Sequence, residues 1–186
     1  GMTPMSMGSG KTVLADAPAP SGWVRRYAGL VAAHGRVLDL AAGSGRHAKY
    51  FNDLGLAVTA IDRDVAALAP LAGPRFEVIE ADLEDGTDWP LEDREFAGIV
   101  VTNYLHRPLF PHIAAALAPH GILIYETFGQ GNARFGKPSN PDFLLEPGEL
   151  LQVALRYGFA VLAYECGEVS EPKPAMIQRI VMQRLT

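Results

Sequence analysis

The stretch RVLDLAAGSGRHAKY, residues 36–50, limits what this chain can fold into more than any other. Val37, Leu38 and Leu40 read as a short apolar strand, Gly43 and Gly45 as a turn, and a helix opens near Gly45. Asp39 interrupts the apolar run, and a carboxylate is costly to bury without partners. The glycines permit a sharp turn and close approach of a ligand to the backbone. The free N–H groups at the start of the helix favour an anionic group there. Further on, LAVTAID repeats the theme as an apolar strand ending in an acid, Asp62. Together these features are the grammar of a nucleotide pocket at the carboxyl edge of a parallel sheet.

The remaining chain continues the alternation. Strands are expected over 36–40, 57–61, 76–80, 96–102, 122–126, 159–165 and 176–184. Ser21 is placed to cap a helix running through WVRRYAGLVAAH to Gly35. Trp23 and Tyr27 either pack that helix on the sheet or close one side of the pocket. Further helices are expected from about Gly45 to Leu54, briefly between Asp64 and Pro70, through HIAAALA up to Pro119, and over 147–157. The link CGEVSEPKPA is too short for a crossover helix, so the last two strands should form an antiparallel hairpin. The expected fold is α/β: a doubly wound, mostly parallel seven-stranded sheet with an antiparallel C-terminal strand.

Two stretches stand outside this rhythm. Residues 1–20 are rich in Gly, Ser, Met, Ala and Pro and read as a flexible tail before one domain over 21–186. Its GSGKT run has the end of a phosphate loop, but Met5 occupies the position of the leading glycine and no strand precedes it. Residues 128–146, FGQGNARFGKPSNPDFLLE, are aperiodic yet carry Phe128, Phe135, Phe143, Arg134 and Lys137. A loop of this length leaving the ligand edge of a sheet reads as a lid. Arg134 and Lys137 either hold a substrate or solvate the loop.

Charge and cysteine content narrow the partners. Net charge is −5, which disfavours nucleic acid and anionic membrane as default partners. Cys166 is the lone cysteine, so no internal disulfide forms and a reducing cytoplasm suits the chain. No basic-then-apolar leader opens it, and its apolar runs are too short to span a bilayer. The histidines show no metal-ligand spacing, so no metal is expected.

Two nucleotide readings compete. Gly43-Ser44-Gly45-Arg46-His47-Ala48 approximates the dinucleotide fingerprint, with Asp62 at a suitable distance for a ribose, which suggests an NAD(P)-dependent reductase. However, Asp39 lies inside the first strand, a second acid, Asp82, follows the third, and a hairpin ends the chain. In these features the chain resembles the class I S-adenosylmethionine-dependent methyltransferases, from about Arg36 to Arg184. The segment DLAAGSGRHAKYFNDLGLAVTAIDRD is most similar to the small bacterial tellurite-resistance-type group, with Ala41 where that group commonly has glycine.

The resemblance implies a Rossmann-like methyltransferase using S-adenosylmethionine and releasing S-adenosylhomocysteine. Gly43 and Gly45, with Ala41, would bring the backbone to the methionine part. Asp39 would hold the loop or accept a hydrogen bond from the ammonium. Asp62, beside Arg63, would accept the ribose hydroxyls, Asp82 and Leu83 would take the adenine, and Asn103 would lie by the methionine end. For the transfer itself, His106 is the candidate base, or else a packing or capping histidine. Tyr104 or Phe128 would offer a ring face to the sulfonium, or fill the core. Arg107 would bind an anionic substrate, or face solvent, and Glu126 ends the fifth strand facing the lid. A small-molecule acceptor is expected because no added substrate domain is present. A non-catalytic cofactor-binding protein is the remaining alternative.

Overall fold

A computed structural model describes residues 18–186. The GSGKT run and most of the expected tail therefore lie outside the described residues. Seven strands form one sheet in the order β3-β2-β1-β4-β5-β7-β6. They are β1 (Arg36–Leu40), β2 (Ala57–Asp62), β3 (Phe76–Glu80), β4 (Phe96–Thr102), β5 (Leu117–Phe128), β6 (Ala160–Val169) and β7 (Ala175–Gln183). Pairings from β3 across to β5 are all parallel, and β7 runs antiparallel to both β5 and β6. The sheet is thus the mixed, Rossmann-like one expected. The strand order reverses between β1 and β4, which opens a crevice at their carboxyl ends.

Central strands bury both faces. Leu38, Leu40, Ile61, Ile99 and Val101 pack on one side with helix α3 (Phe110–Ala116) and helix α4 (Glu149–Tyr157). Val37, Val58, Ala60 and Val100 pack on the other with α1 (Gly22–Tyr27) and α2 (Arg46–Asp53). Each fully buried aliphatic side chain contributes about 1.5–3 kcal/mol, so the near-continuous apolar runs hold the strand ends in place.

The helices differ from expectation. Ser21 does cap α1, accepting from the Trp23 and Val24 N–H groups at 3.1 and 3.3 Å. However, α1 stops at Tyr27 and continues only as a 3₁₀ turn over Ala28–Leu30. Val31 then turns extended and sits over Gly98 of β4, where an added Cβ would lie 2.9 Å from both Val31 methyls. The segment after Asp64 forms a single 3₁₀ turn, Ala69–Leu71, instead of a helix. Pro70 lacks an N–H to continue it, and Leu68 is drawn inward against Gly45, whose Cβ would stand 2.6 Å from a Leu68 methyl. Strand β5 starts at Leu117, paired with Phe96, and reaches its regular ladder at Ile122 after an irregularity containing His120 at φ +63°.

Candidate functional site

The crevice at the switch point widens into a cavity of about 860 Å³. Every parallel strand contributes to it at its carboxyl end: Ala41 after β1, Asp62 and Arg63 at β2, Asp82 and Leu83 after β3, Asn103 and Tyr104 after β4, and Thr127 and Phe128 at β5. The lid segment closes the remaining side with Lys137, Ser139, Asn140 and Phe143.

Two carboxylates organise the glycine turn. Asp39 is buried, and its Oδ2 accepts from the Ala48 N–H at 2.9 Å, which ties β1 to the first turn of α2. Burial pushes its carboxyl up to about 7, against the opposing pull of the Ala48 N–H and Arg46. It does not line the cavity. Asp62 does, and its Oδ2 accepts from the Gly43 N–H at 2.8 Å while its Oδ1 accepts from Asp64 N–H at 3.0 Å. Each oxygen keeps a free lone pair, enough to accept two hydroxyls. Gly43 at φ +58° has open space where a Cβ would point; Gly45, at φ +83°, is held for packing on Leu68.

Asp82 accepts from Glu84 N–H through Oδ1, and its Oδ2 has no hydrogen-bond partner among the described residues, so it can take an exocyclic amine beside Leu83. Asn103 sits at φ +54°, a left-handed conformation asparagine tolerates, and its N–H reaches the Glu126 carbonyl at 2.9 Å. Ala41 sits at φ +58°, where a Cβ is strained.

The structure separates the three residues expected at the reacting centre. Tyr104 lines the cavity, and its hydroxyl donates to Glu84 at 2.8 Å. Burial and Glu84 hold that phenol far above its ordinary range, so it stays protonated. His106 lines a neighbouring cavity of about 210 Å³, with its Nδ1 3.7 Å from Glu84. Arg107 lines neither cavity. It grips Glu149 with Nε at 2.7 Å and Nη2 at 2.9 Å, and it also reaches the carbonyls of Asp142 and Leu144 at the end of the lid.

Other residues brace the site from behind its walls. His47, in α2, accepts from the Ser21 N–H through Nε2 at 3.0 Å and faces Thr102 through Nδ1 at 3.3 Å. Burial, with Arg46, pulls its pKa down to about 4, so the ring is neutral and Nδ1 carries the proton toward Thr102. Glu126 does not face the lid. It accepts from the Ser21 hydroxyl and pairs with Arg179 at 3.0 Å, fastening α1 to β5 and β7. Arg179 also lies over the Trp23 ring, so Trp23 packs instead of closing the cavity. The lid is anchored by Asn132, whose Nδ2 donates to the Pro138 carbonyl and whose Oδ1 accepts from Met176 N–H, both at 3.0 Å. None of these long-range partners leaves a local signature in sequence; only the run of aromatic and basic residues hinted that the lid has work to do.

Residues 37–121 match the family model described as a methyltransferase domain. No curated protein sequence matches the chain. Among solved structures it is similar to TehB from Haemophilus influenzae, at 18% identity and a TM-score of 0.71, over 90% of this chain and 63% of that one. The chain thus spans less than two thirds of TehB. It is also similar to the 1,6-didemethyltoxoflavin-N1-methyltransferase of Burkholderia thailandensis, a structure with bound 1,6-didemethyltoxoflavin and S-adenosylhomocysteine, at 20% identity and a TM-score of 0.63, over 89% and 79% of the two chains. An S-adenosylmethionine-dependent methyltransferase from Mesorhizobium loti gives 19% and 0.66, over 87% and 95%. The domain match spans less than half of the chain, and the solved structures share its fold. Among the described residues, no helix is long and apolar enough to cross a membrane.

Proposed function

We propose that the chain moves the methyl group of S-adenosylmethionine to a small-molecule acceptor held under the lid. The observation that carries the cofactor reading is how the glycine turn spends its N–H groups. The Gly43 and Ala48 donors, which a dinucleotide's diphosphate would require, are taken by Asp62 and Asp39. The Asp62 carboxylate therefore stands at the turn, where it suits the ammonium of an amino-acid tail and repels a diphosphate. This disfavours the NAD(P) reductase reading.

On this reading Asp62 holds the ribose, with Arg63 beside it, and Asp82 and Leu83 hold the adenine. Asn103 and the backbone at Ala41 and Gly43 face the methionine end. Gly45 shapes the turn, and Asp39 acts by fixing it. When bound, S-adenosylmethionine would supply a methyl activated by its cationic sulfur for in-line transfer to the acceptor. The protein's part is alignment and exclusion of water by the walls and lid. The acceptor's proton leaves to solvent or through the Glu84 carboxylate, which joins Tyr104 to His106. Arg107 acts by holding the lid. We read residues 21–186 as one methyltransferase unit. A cytoplasmic setting fits the single, exposed Cys166.

Resemblance to the tellurite-resistance-type group puts thiol and chalcogen compounds on the acceptor list beside oxygen and nitrogen nucleophiles. Transfer of labelled methyl from S-adenosylmethionine, scored over small thiols, selenols, phenols and amines and over protein and RNA fractions, tests the reading. Labelled small product is expected. Label confined to protein or RNA would contradict the small-molecule acceptor, and tight product binding with no labelled acceptor would favour a non-catalytic binding protein.

A further inference from the structure

The lid presents its cations unequally. Arg134 is consumed by Glu168 at 2.7 Å and lies over the Phe135 ring. Arg107, beneath the lid's end, is consumed by Glu149. Lys137 makes no ion pair with any described residue, and it lines the cavity. Its place is fixed from both sides. Asn132, only 2% exposed, holds the adjoining Pro138 carbonyl, while Arg107 holds the carbonyls of Asp142 and Leu144.

The carboxylates of the cavity, Asp62, Asp82 and Glu84, all sit at the β2 and β3 side, where Arg63 is the one cation among them. The lid side has the opposite character: one ammonium, with Phe128 and Phe143 as apolar faces. Phe143 is half exposed, which is uncommon for a phenylalanine with nothing to cover. The cavity volume lies near the top of the range of about 300–1,000 Å³ typical of ligand pockets, leaving room for a nucleoside and a second small molecule.

Resting on the methyltransferase reading, we propose that the lid side is an acceptor subsite for a flat ring bearing an anionic group. Lys137 supplies the counter-charge, and Phe128 and Phe143 supply the stacking walls. A cationic acceptor would place its charge against Lys137, and a purely aliphatic one would forgo the ring faces.

Benzoate, benzamide and cyclohexanecarboxylate are titrated into the protein alone and into the protein saturated with S-adenosylhomocysteine. Benzoate should bind more tightly than either analogue. Lys137→Met should weaken benzoate at least about fivefold, a charge-pair effect for a partly exposed site, and leave benzamide and S-adenosylhomocysteine unchanged. Lys137→Arg should restore benzoate. Equal binding of benzoate and benzamide, absence of benzoate binding, or indifference of benzoate to Lys137→Met would each overturn the proposal. If benzoate follows Lys137 while S-adenosylhomocysteine fails to bind, the anion site stands and the methyltransferase reading falls.

Discussion

The two walls of the main cavity are built on opposite plans. On the β1–β3 side, functional groups sit at strand ends and are held by short, local links: Asp62 to Gly43 and Asp64, Asp39 to Ala48, Asp82 to Glu84. On the lid side, local turns such as Asn132 with Pro138 are tied down by anchors much farther along the chain. Phe128 to Glu146 keeps its shape through Arg107 with Glu149 and through Asn132 with Met176, pairs 42 and 44 residues apart. The first plan suits a cofactor shared by many chemistries, because the sheet itself sets the distances. The second suits an acceptor, because a loop pinned at few points can change its contents without disturbing the sheet.

The largest expected effect probes the strand-end wall through pH. Asp39, raised to about 7, holds its proton in the folded state after the unfolded chain has lost it, so stability falls as pH rises from about 4 to 7. His47, lowered to about 4, stays neutral while the unfolded chain takes up a proton, so stability rises from about pH 4 to 6.5. The two slopes oppose each other and leave the wild type comparatively flat. In urea titrations, Asp39→Asn should expose the His47 slope and His47→Gln the Asp39 slope, each on the order of 3 kcal/mol across the window. Parallel curves for both variants would break the picture of a wall fixed by two buried, oppositely shifted groups.

Next is Asp62→Ala. Losing a carboxylate that accepts charge-assisted bonds costs about 1.5–3 kcal/mol, so S-adenosylhomocysteine affinity should fall roughly 10- to 100-fold. Calorimetry checks this, and an unchanged affinity would remove Asp62 from the cofactor's partners. Arg107→Ala tests the other wall. Its side chain is 38% exposed, so solvent screening limits the lost ion pair with Glu149 to about 1–2 kcal/mol. Amide exchange should rise across 140–146 while S-adenosylhomocysteine affinity stays near wild type; equal loosening of both walls would contradict the division. The smallest change is Ala41→Gly, which relieves a Cβ at φ +58° and should raise the melting temperature for a gain of about 1 kcal/mol.

What the sequence disclosed follows the same division. The strands were readable because their apolar runs are nearly unbroken, and Asp62 and Asp82 because acids end those runs at the ligand edge. Gly45 was readable as a turn, though its tight contact with Leu68 was not. The sequence offers His106 and Arg107, together with Tyr104, as candidates for the transfer. The 3₁₀ turn beginning at Arg107 sends them elsewhere: His106 to the smaller cavity and Arg107 to α4. Helix lengths were overestimated where glycine, proline or a packing demand from Val31 or Leu68 ended a periodic pattern early.

The central claim is that the turn held by Asp62 takes an amino-acid tail in place of a diphosphate. Titrating S-adenosylhomocysteine and NADH separately into the wild-type protein by calorimetry tests it most directly. Saturable one-to-one binding of S-adenosylhomocysteine, with no heat from NADH, is the predicted result. Saturable NADH binding, with S-adenosylhomocysteine silent, would contradict it.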